Sequence, residues 1–275
     1  TGDAETQIRF TVNGDEPTLD AELYLGGPIE IYQSSSIRAR AFKENFVPSE
    51  IASESYLLNV THVTPILSIN VDNSSLYGEN GIFDHWAEDW ERFAQITLYD
   101  STSAHAFVFD RDAAMQIDGG AGGSRSHPQH SFRLELAKGA FEESPVELSL
   151  LSNRPERNTY SRLYFRNGSN QWLTLPYKDA CLVDMLTSGT YCYHSAMRPV
   201  SVYINGGYFG LYEMREKLDG EFWQEYDNFQ DPESVDVISV SYWYNLVLRA
   251  TEGQAIDYWN SWDDFQNLDP SSDTF

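Results

Sequence analysis

Cysteine is nearly missing from this chain: Cys181 and Cys192 are the only two among 275 residues. No Cys-x-x-Cys pair can be built from them, which excludes the common zinc and dithiol motifs. They could close a loop of about ten residues, worth at most about 3 kcal/mol on the chain-entropy estimate, or stay as two buried thiols. Basic residues are also few. Lysine and arginine total 18 against 42 aspartates and glutamates, a formal net charge of −24. Binding nucleic acid needs basic surface, so nucleic acid is not an expected partner. The same argument holds for anionic membrane surfaces. No apolar run is long enough for a membrane-spanning helix. What is present is a core-forming composition, 41% hydrophobic and 14% aromatic. The length suggests about two domains. The acidity fits a solvated surface in a salty or extracellular setting, and could also hold Ca²⁺ or attract basic substrates. From Lys217 to Phe275 there are 13 acids and 2 bases, a solvated face first and a docking surface for basic peptides second. The chain starts at Thr1 without Met and ends at Asp273-Thr274-Phe275, which reads as a piece of a longer protein.

The first sixty residues read as short strands. Ile8 to Val12 alternates and runs into the Asn13-Gly14 turn pair. Pro28 to Tyr32 and Ser36 to Phe42 follow as strands, then Ser55 to Leu58. In the third, Ile37, Ala39 and Ala41 take one face, and Arg38 and Arg40 the other. Strands spaced this closely imply a small β-sandwich. IRFTVNGDEPT, SSIRARAFKENFVPSE and ESYLL together resemble the chitobiase/β-hexosaminidase C-terminal-type module, a spacer on secreted multidomain proteins. Sugar binding there would need exposed aromatics, with Tyr24 and Tyr32 as candidates against a core-packing role.

The second segment is organised around glycine. Ala113 to Ile117 and Phe132 to Leu136 read as strands flanking Gly119, Gly120, Gly122, Gly123, Ser124 and Arg125. Loops without Cβ atoms let backbone N–H groups approach an anion. No Gly-Lys-Ser/Thr opens a helix, so this is not a Walker loop, and a plain hairpin loop is the alternative. Arg162 to Asn167 reads as a strand and Tyr177 to Thr187 as a helix. Pro199 to Ile204, the Asn205-Gly206 turn and Gly207 to Glu216 read as a hairpin. A helix over Gly220–Asn228 and a strand over Ser234–Val240 complete the order. His127 and His130 flank a proline loop, so zinc is not expected there. Asn59, Asn73 and Asn167 open glycosylation patterns.

The glycine segment looks like a family's R-x-H-G-G-x-S-R-x-x-P-K-H/K-S-F/Y-R-L motif. VSVYINGGYFGLYEMREKLD looks like the same family's second, longer motif. The family is the spore-coat protein H (CotH) kinase-like family, and the resemblance covers about residues 65–260. Gly119, Gly120, Ser124, Arg125, Pro128, Ser131, Phe132 and Arg133 match; Gln116, Asp118 and Gln129 stand where Arg, His and Lys are usual. The resemblance implies an α+β protein. A β-sandwich over 1–60 would precede a kinase-like domain over 61–275. That domain would comprise an N-lobe, an antiparallel sheet with one main helix, and the start of a truncated C-lobe. It implies ATP and Mg²⁺, and transfer to Ser of basic coat or surface proteins by a secreted or cell-surface protein. By lobe position Arg166 would meet the phosphates and Asp179 would pair with it. Glu213, Arg215 and Glu216 stand at the hinge position and otherwise read as a structural salt-bridge cluster. The catalytic carboxylates are expected beyond Phe275, leaving this piece inactive, with nucleotide affinity weaker than about 1 mM. The alternatives are a non-catalytic adhesion or assembly protein on the same scaffold, or a carbohydrate-associated module.

Overall fold

A computed structural model describes residues 5–101, 105–120, 123–138, 144–187, 189–190, 192–227, 235–242 and 246–268. The chain divides into two compact units, Thr1–Glu216 and Lys217–Phe275.

The first unit begins with β1 (Gln7–Thr11), β2 (Glu22–Leu23), β3 (Ser35–Phe42) and β4 (Ala52–Tyr56). They form one antiparallel sheet in the order β2-β1-β3-β4. Pro28–Tyr32, expected as a strand, joins no sheet. Pro28 has no N–H for a ladder, and Gly26 just before it takes φ +91°. Tyr32 is consequently 86% exposed, whereas Tyr24 packs edge-on against Phe10, the buried residue of β1. The two faces of β3 also differ from expectation. Arg38 is buried, donating to the Gly14 carbonyl and pairing with Asp72 at 3.0 Å.

The rest of the unit is a closed barrel. Its strands are β5 (Ile66–Asn70), β6 (Glu91–Tyr99), β7 (Phe107–Ile117), β8 (Phe132–Glu135), β9 (Arg162–Arg166), β10 (Met197–Ile204) and β11 (Gly207–Arg215). The order around the ring is β10-β11-β9-β8-β7-β6-β5. The sheet expected as antiparallel is thus closed and not antiparallel throughout. Seven strands alternating in direction cannot close without one parallel pair, and β5 with β10 is that pair. Closure removes both sheet edges. β5 is buried along its whole length: Leu67 and Ile69 point into the barrel core, while Asn70 accepts a hydrogen bond from Ser55 at 2.7 Å. Ile96, Met115, Phe132, Phe165, Val202 and Tyr212 fill the barrel from the other strands.

The short helix α1 (Asn73–Leu76) follows β5, capped by Asp72, whose carboxylate accepts from the Ser74 N–H. Helix α2 (Lys178–Thr187) lies between β9 and β10 in the chain. Its one buried residue is Ala180, while Met185 and Leu186 are about three-quarters exposed. Cys181 and Cys192 are both free and exposed, so neither the disulfide nor the buried-thiol reading describes this structure.

The Asn205-Gly206 turn joins the N-terminal sheet to the barrel. Asn205 and Gly206 have φ +49° and +80°, as a two-residue hairpin turn requires. The Asn205 amide accepts from the Val71 N–H at 3.0 Å and donates to the Val71 carbonyl at 2.8 Å. A Cβ on Gly206 would stand 2.5 Å from the Ser35 backbone, so only glycine fits.

The second unit contains α3 (Gly220–Asp227), the hairpin β12 (Val237–Tyr242) and β13 (Leu246–Glu252), and α4 (Ile256–Gln266). The Asp219 carboxylate accepts from the Phe222 N–H and Glu252 from the Gly220 N–H, so both supply acceptors to the start of α3. Asn228 and Ser234, ends of the expected helix and strand, lie outside the described residues.

Candidate phosphate-binding site

The glycine-rich loop leaves β7 at Ile117 and enters β8 at Phe132. It packs against the turn that follows β9. Asn167, buried, donates from its side chain to the Gln129 carbonyl at 2.5 Å and the Ser124 carbonyl at 3.3 Å. Its backbone N–H donates to Ser131 Oγ at 3.0 Å. That burial removes Asn167 as a glycosylation acceptor in the folded chain. Two of the glycines answer to this packing. Gly119 has φ +105° and lies against the Ser124 side chain, and a Cβ on Gly123 would meet Asn170 Oδ1 at 2.8 Å. Gly120 alone among the described loop glycines has open space beside it; Gly122 lies outside the described residues.

Arg125, expected to clamp phosphate, is engaged within the protein. Its Nε donates to the Gly119 carbonyl at 2.7 Å and one terminal nitrogen bonds Asp89 at 2.6 Å. The other terminal nitrogen lies 3.3 Å and 3.4 Å from the Ala87 and Trp86 carbonyls. The Arg125 guanidinium holds the Asp89 carboxyl below its ordinary range. Arg125 thus ties the loop to the segment before β6.

The departures from the family motif have structural roles. Gln129 donates to the Leu211 carbonyl at 2.9 Å and accepts the Trp172 indole N–H at 3.1 Å. A lysine could make the first bond but not the second, because an ammonium cannot accept. Gly210, φ +148°, leaves the space that the Gln129 amide fills. Asp118 pairs with Arg133 at 3.3 Å, and Gln116 is buried at the end of β7. His130 is buried, which lowers its pKa, and its carbonyl accepts the Tyr212 hydroxyl at 2.7 Å. His127 stacks on Trp172. Among the described residues no three His, Cys, Asp or Glu side chains stand together as metal ligands.

The expected charged pair does form. Arg166 ends β9, and its guanidinium lies 3.3 Å from the Asp179 carboxylate in the first turn of α2. The same Asp179 oxygen lies 3.1 Å from Arg215, and Arg215 lies 2.8 Å from Glu213. Arg166 and Glu213 face each other across the β9–β11 ladder. Four charges therefore alternate in the order Arg166, Asp179, Arg215, Glu213. Burial grades along this chain: side-chain exposure is 37% for Arg166, 43% for Asp179, 10% for Arg215 and 1% for Glu213. Arg166 and Asp179 form the open end. Burial raises the Glu213 pKa, against the pull of Arg215 and Arg166.

Burial raises the Tyr177 pKa, and Glu213 and Tyr208 add to the rise. His62 stacks on Tyr208 at 5.3 Å between centroids and makes a 2.8 Å hydrogen bond with the Tyr203 hydroxyl.

Glu216 does not belong to this chain of charges. Its carboxylate pairs with Arg154 at 2.8 Å and Arg157 at 2.9 Å, and accepts the Ala196 N–H at 2.9 Å. The three residues expected at the hinge thus split: Glu213 and Arg215 join Arg166 and Asp179, and Glu216 anchors a separate buried cluster. Sequence reasoning missed the Arg215–Asp179 contact and the His62–Tyr208 stack. Strand alternation offered a signal for the first, since Glu213 and Arg215 are two apart on one face. Nothing local marks His62.

Two family models match the chain. The chitobiase/beta-hexosaminidase C-terminal domain covers residues 1–53, and the CotH kinase protein covers residues 116–270. The second spans more than half of the sequence, and the chain belongs to the CotH kinase protein family. No curated protein and no solved structure matches it.

Proposed function

We propose that this protein is a CotH-type, kinase-like phosphotransfer protein that receives the phosphates of ATP at the open end of the Arg166–Asp179 pair. The carrying observation is that pair: a strand-borne guanidinium held at 3.3 Å by a carboxylate from the helix that follows it. A basic group on a strand, paired to an acid on the next helix, is how a kinase-like N-lobe fixes its phosphate-binding cation. β6 to β11 with α2 inserted before the last hairpin is the chain order that such a lobe requires.

The residues present fit a phosphate in one respect. Arg166 is more than one-third exposed, and a guanidinium can offer two parallel N–H groups to phosphate oxygens. Asp179 fixes its direction. Tyr177, two residues before Asp179, offers an aromatic ring for a planar base. ATP would supply the transferable phosphoryl group there. The described residues offer no three-ligand cluster for Mg²⁺. The acceptor class that best suits a chain of net charge −24 is a basic, Ser-containing protein, at a cell surface or outside the cell.

The test is a titration of Mg-ATP followed by ³¹P NMR, in the millimolar range. Arg166→Gln should weaken binding about tenfold, the loss of one charge-assisted contact. Equal affinity in the variant, or no binding to the wild type, overturns the proposal and leaves the adhesion or assembly reading.

A further inference from the structure

Glu213 has no part in the proposal above, yet it is the most deeply buried charge beside the site, at 1% side-chain exposure. Its partner is the Arg215 guanidinium, 2.8 Å away on the same strand. Buried carboxylates are ordinarily held by several donors. This one stands directly across the ladder from Arg166. The arrangement is a row of four alternating charges with no net charge and one open end.

Resting on the phosphate reading of Arg166, we propose that Glu213 is the charge-balancing residue of the site. It holds Arg215, Arg215 shares Asp179 with Arg166, and an anion arriving at Arg166 is bound together with a proton on Glu213. The ligand class is a phosphoryl-type dianion. Before binding, the two carboxylates neutralise the two guanidiniums. A dianion at Arg166 leaves the row with excess negative charge. Protonating Glu213 removes one negative charge at the closed end, where solvent cannot screen it. Arg215 then serves Asp179 alone, and Asp179 stays paired when Arg166 turns toward the ligand. Burial already raises the Glu213 pKa, which brings the proton within reach.

The groups facing Glu213 are Arg166 from β9, Arg215 on its own strand, Asp179 from α2, and Tyr177 just before α2. His62, stacked on Tyr208 of the Glu213 strand, is a further imidazole, and burial lowers its pKa.

The experiment uses sulfate, which keeps its charge as pH changes, titrated into the full chain at several pH values. In the wild type, affinity should rise as pH falls, by up to about tenfold per unit, the limit for uptake of one proton. In Glu213→Gln, affinity at neutral pH should be about tenfold higher than in the wild type and nearly independent of pH. His62→Gln should keep the slope. A Glu213→Gln protein with wild-type affinity and slope overturns the proposal. So does a slope that vanishes in His62→Gln. If Glu213→Gln does not fold, the slope in His62→Gln decides by itself. Arg166→Gln separates the two levels. Weakened sulfate binding with no Glu213 dependence sinks only the charge-balancing role. Unchanged sulfate binding in Arg166→Gln sinks the phosphate reading beneath it.

Discussion

Replacing Glu216 with alanine should cost this protein about 4 kcal/mol of stability. The Glu216 carboxylate is 1% exposed and faces Arg154 and Arg157, whose side chains are 7% and 6% exposed. Breaking a buried ion pair from one side costs about 3–5 kcal/mol, because the partner's charge stays buried. The Ala196 N–H loses its acceptor as well, about 1–3 kcal/mol alone, but the two losses share one carboxylate and do not add. For a unit of this size each kcal/mol moves the melting temperature by about 2–4 °C, so a fall of roughly 8–16 °C is expected. Glu216→Gln keeps acceptor oxygen for Ala196 and one arginine while dropping the charge, and should lose about half as much. The assay is urea unfolding followed by far-ultraviolet circular dichroism, with thermal melts as a second readout. Nucleotide titrations on the folded variants show whether the residue also touches ligand. A Glu216→Ala protein within 1 kcal/mol of the wild type, but with altered nucleotide binding, would refute the structural reading and restore Glu216 to a hinge role.

Two further outcomes follow from the same physics. Gly206→Ala should destabilise the first unit by 2 kcal/mol or more, roughly, because φ +80° and the Ser35 backbone at 2.5 Å both oppose a Cβ. Limited proteolysis of that variant should speed up between β4 and β5, and an unchanged cleavage rate would show that the turn does not hold the N-terminal sheet. Burial pushes the Tyr160 pKa up to about 12 from an ordinary 10, against the pull of the Arg157 guanidinium over its ring. The unfolded chain ionises first, so Tyr160 contributes stability in full below about pH 10, and that contribution is lost between about pH 10 and 12. Unfolding free energy measured across that window should fall in the wild type and fall less in Tyr160→Phe.

Much of the site was legible because it lies on regular elements. Arg162 to Arg166 alternates, and the Tyr177–Thr187 stretch lacks Gly and Pro, so the strand and the helix could be placed from sequence, while the Arg166–Asp179 pairing followed only from the lobe position that the family resemblance implies. The ion pair at 3.3 Å agrees with that placement. Arg125 was read as a free cation because its acceptors are three backbone carbonyls and Asp89, about forty residues before it for all but Gly119. No local pattern announces such acceptors. Gln129 was read as a missing charge for the same reason: its partners, Leu211 and Trp172, are brought to it by the fold.

The sequence by itself determined most of the elements, the two family resemblances and the turn at Asn205-Gly206, because each depends on residues within a few positions of one another. Tertiary structure alone decided that seven strands close through a parallel β5–β10 pair. It also turned Arg38 inward to Asp72 and divided Glu213 and Arg215 from Glu216. Closure, burial of charge and choice of ionic partner depend on which distant segments meet. Their energies come from water removed by the whole fold.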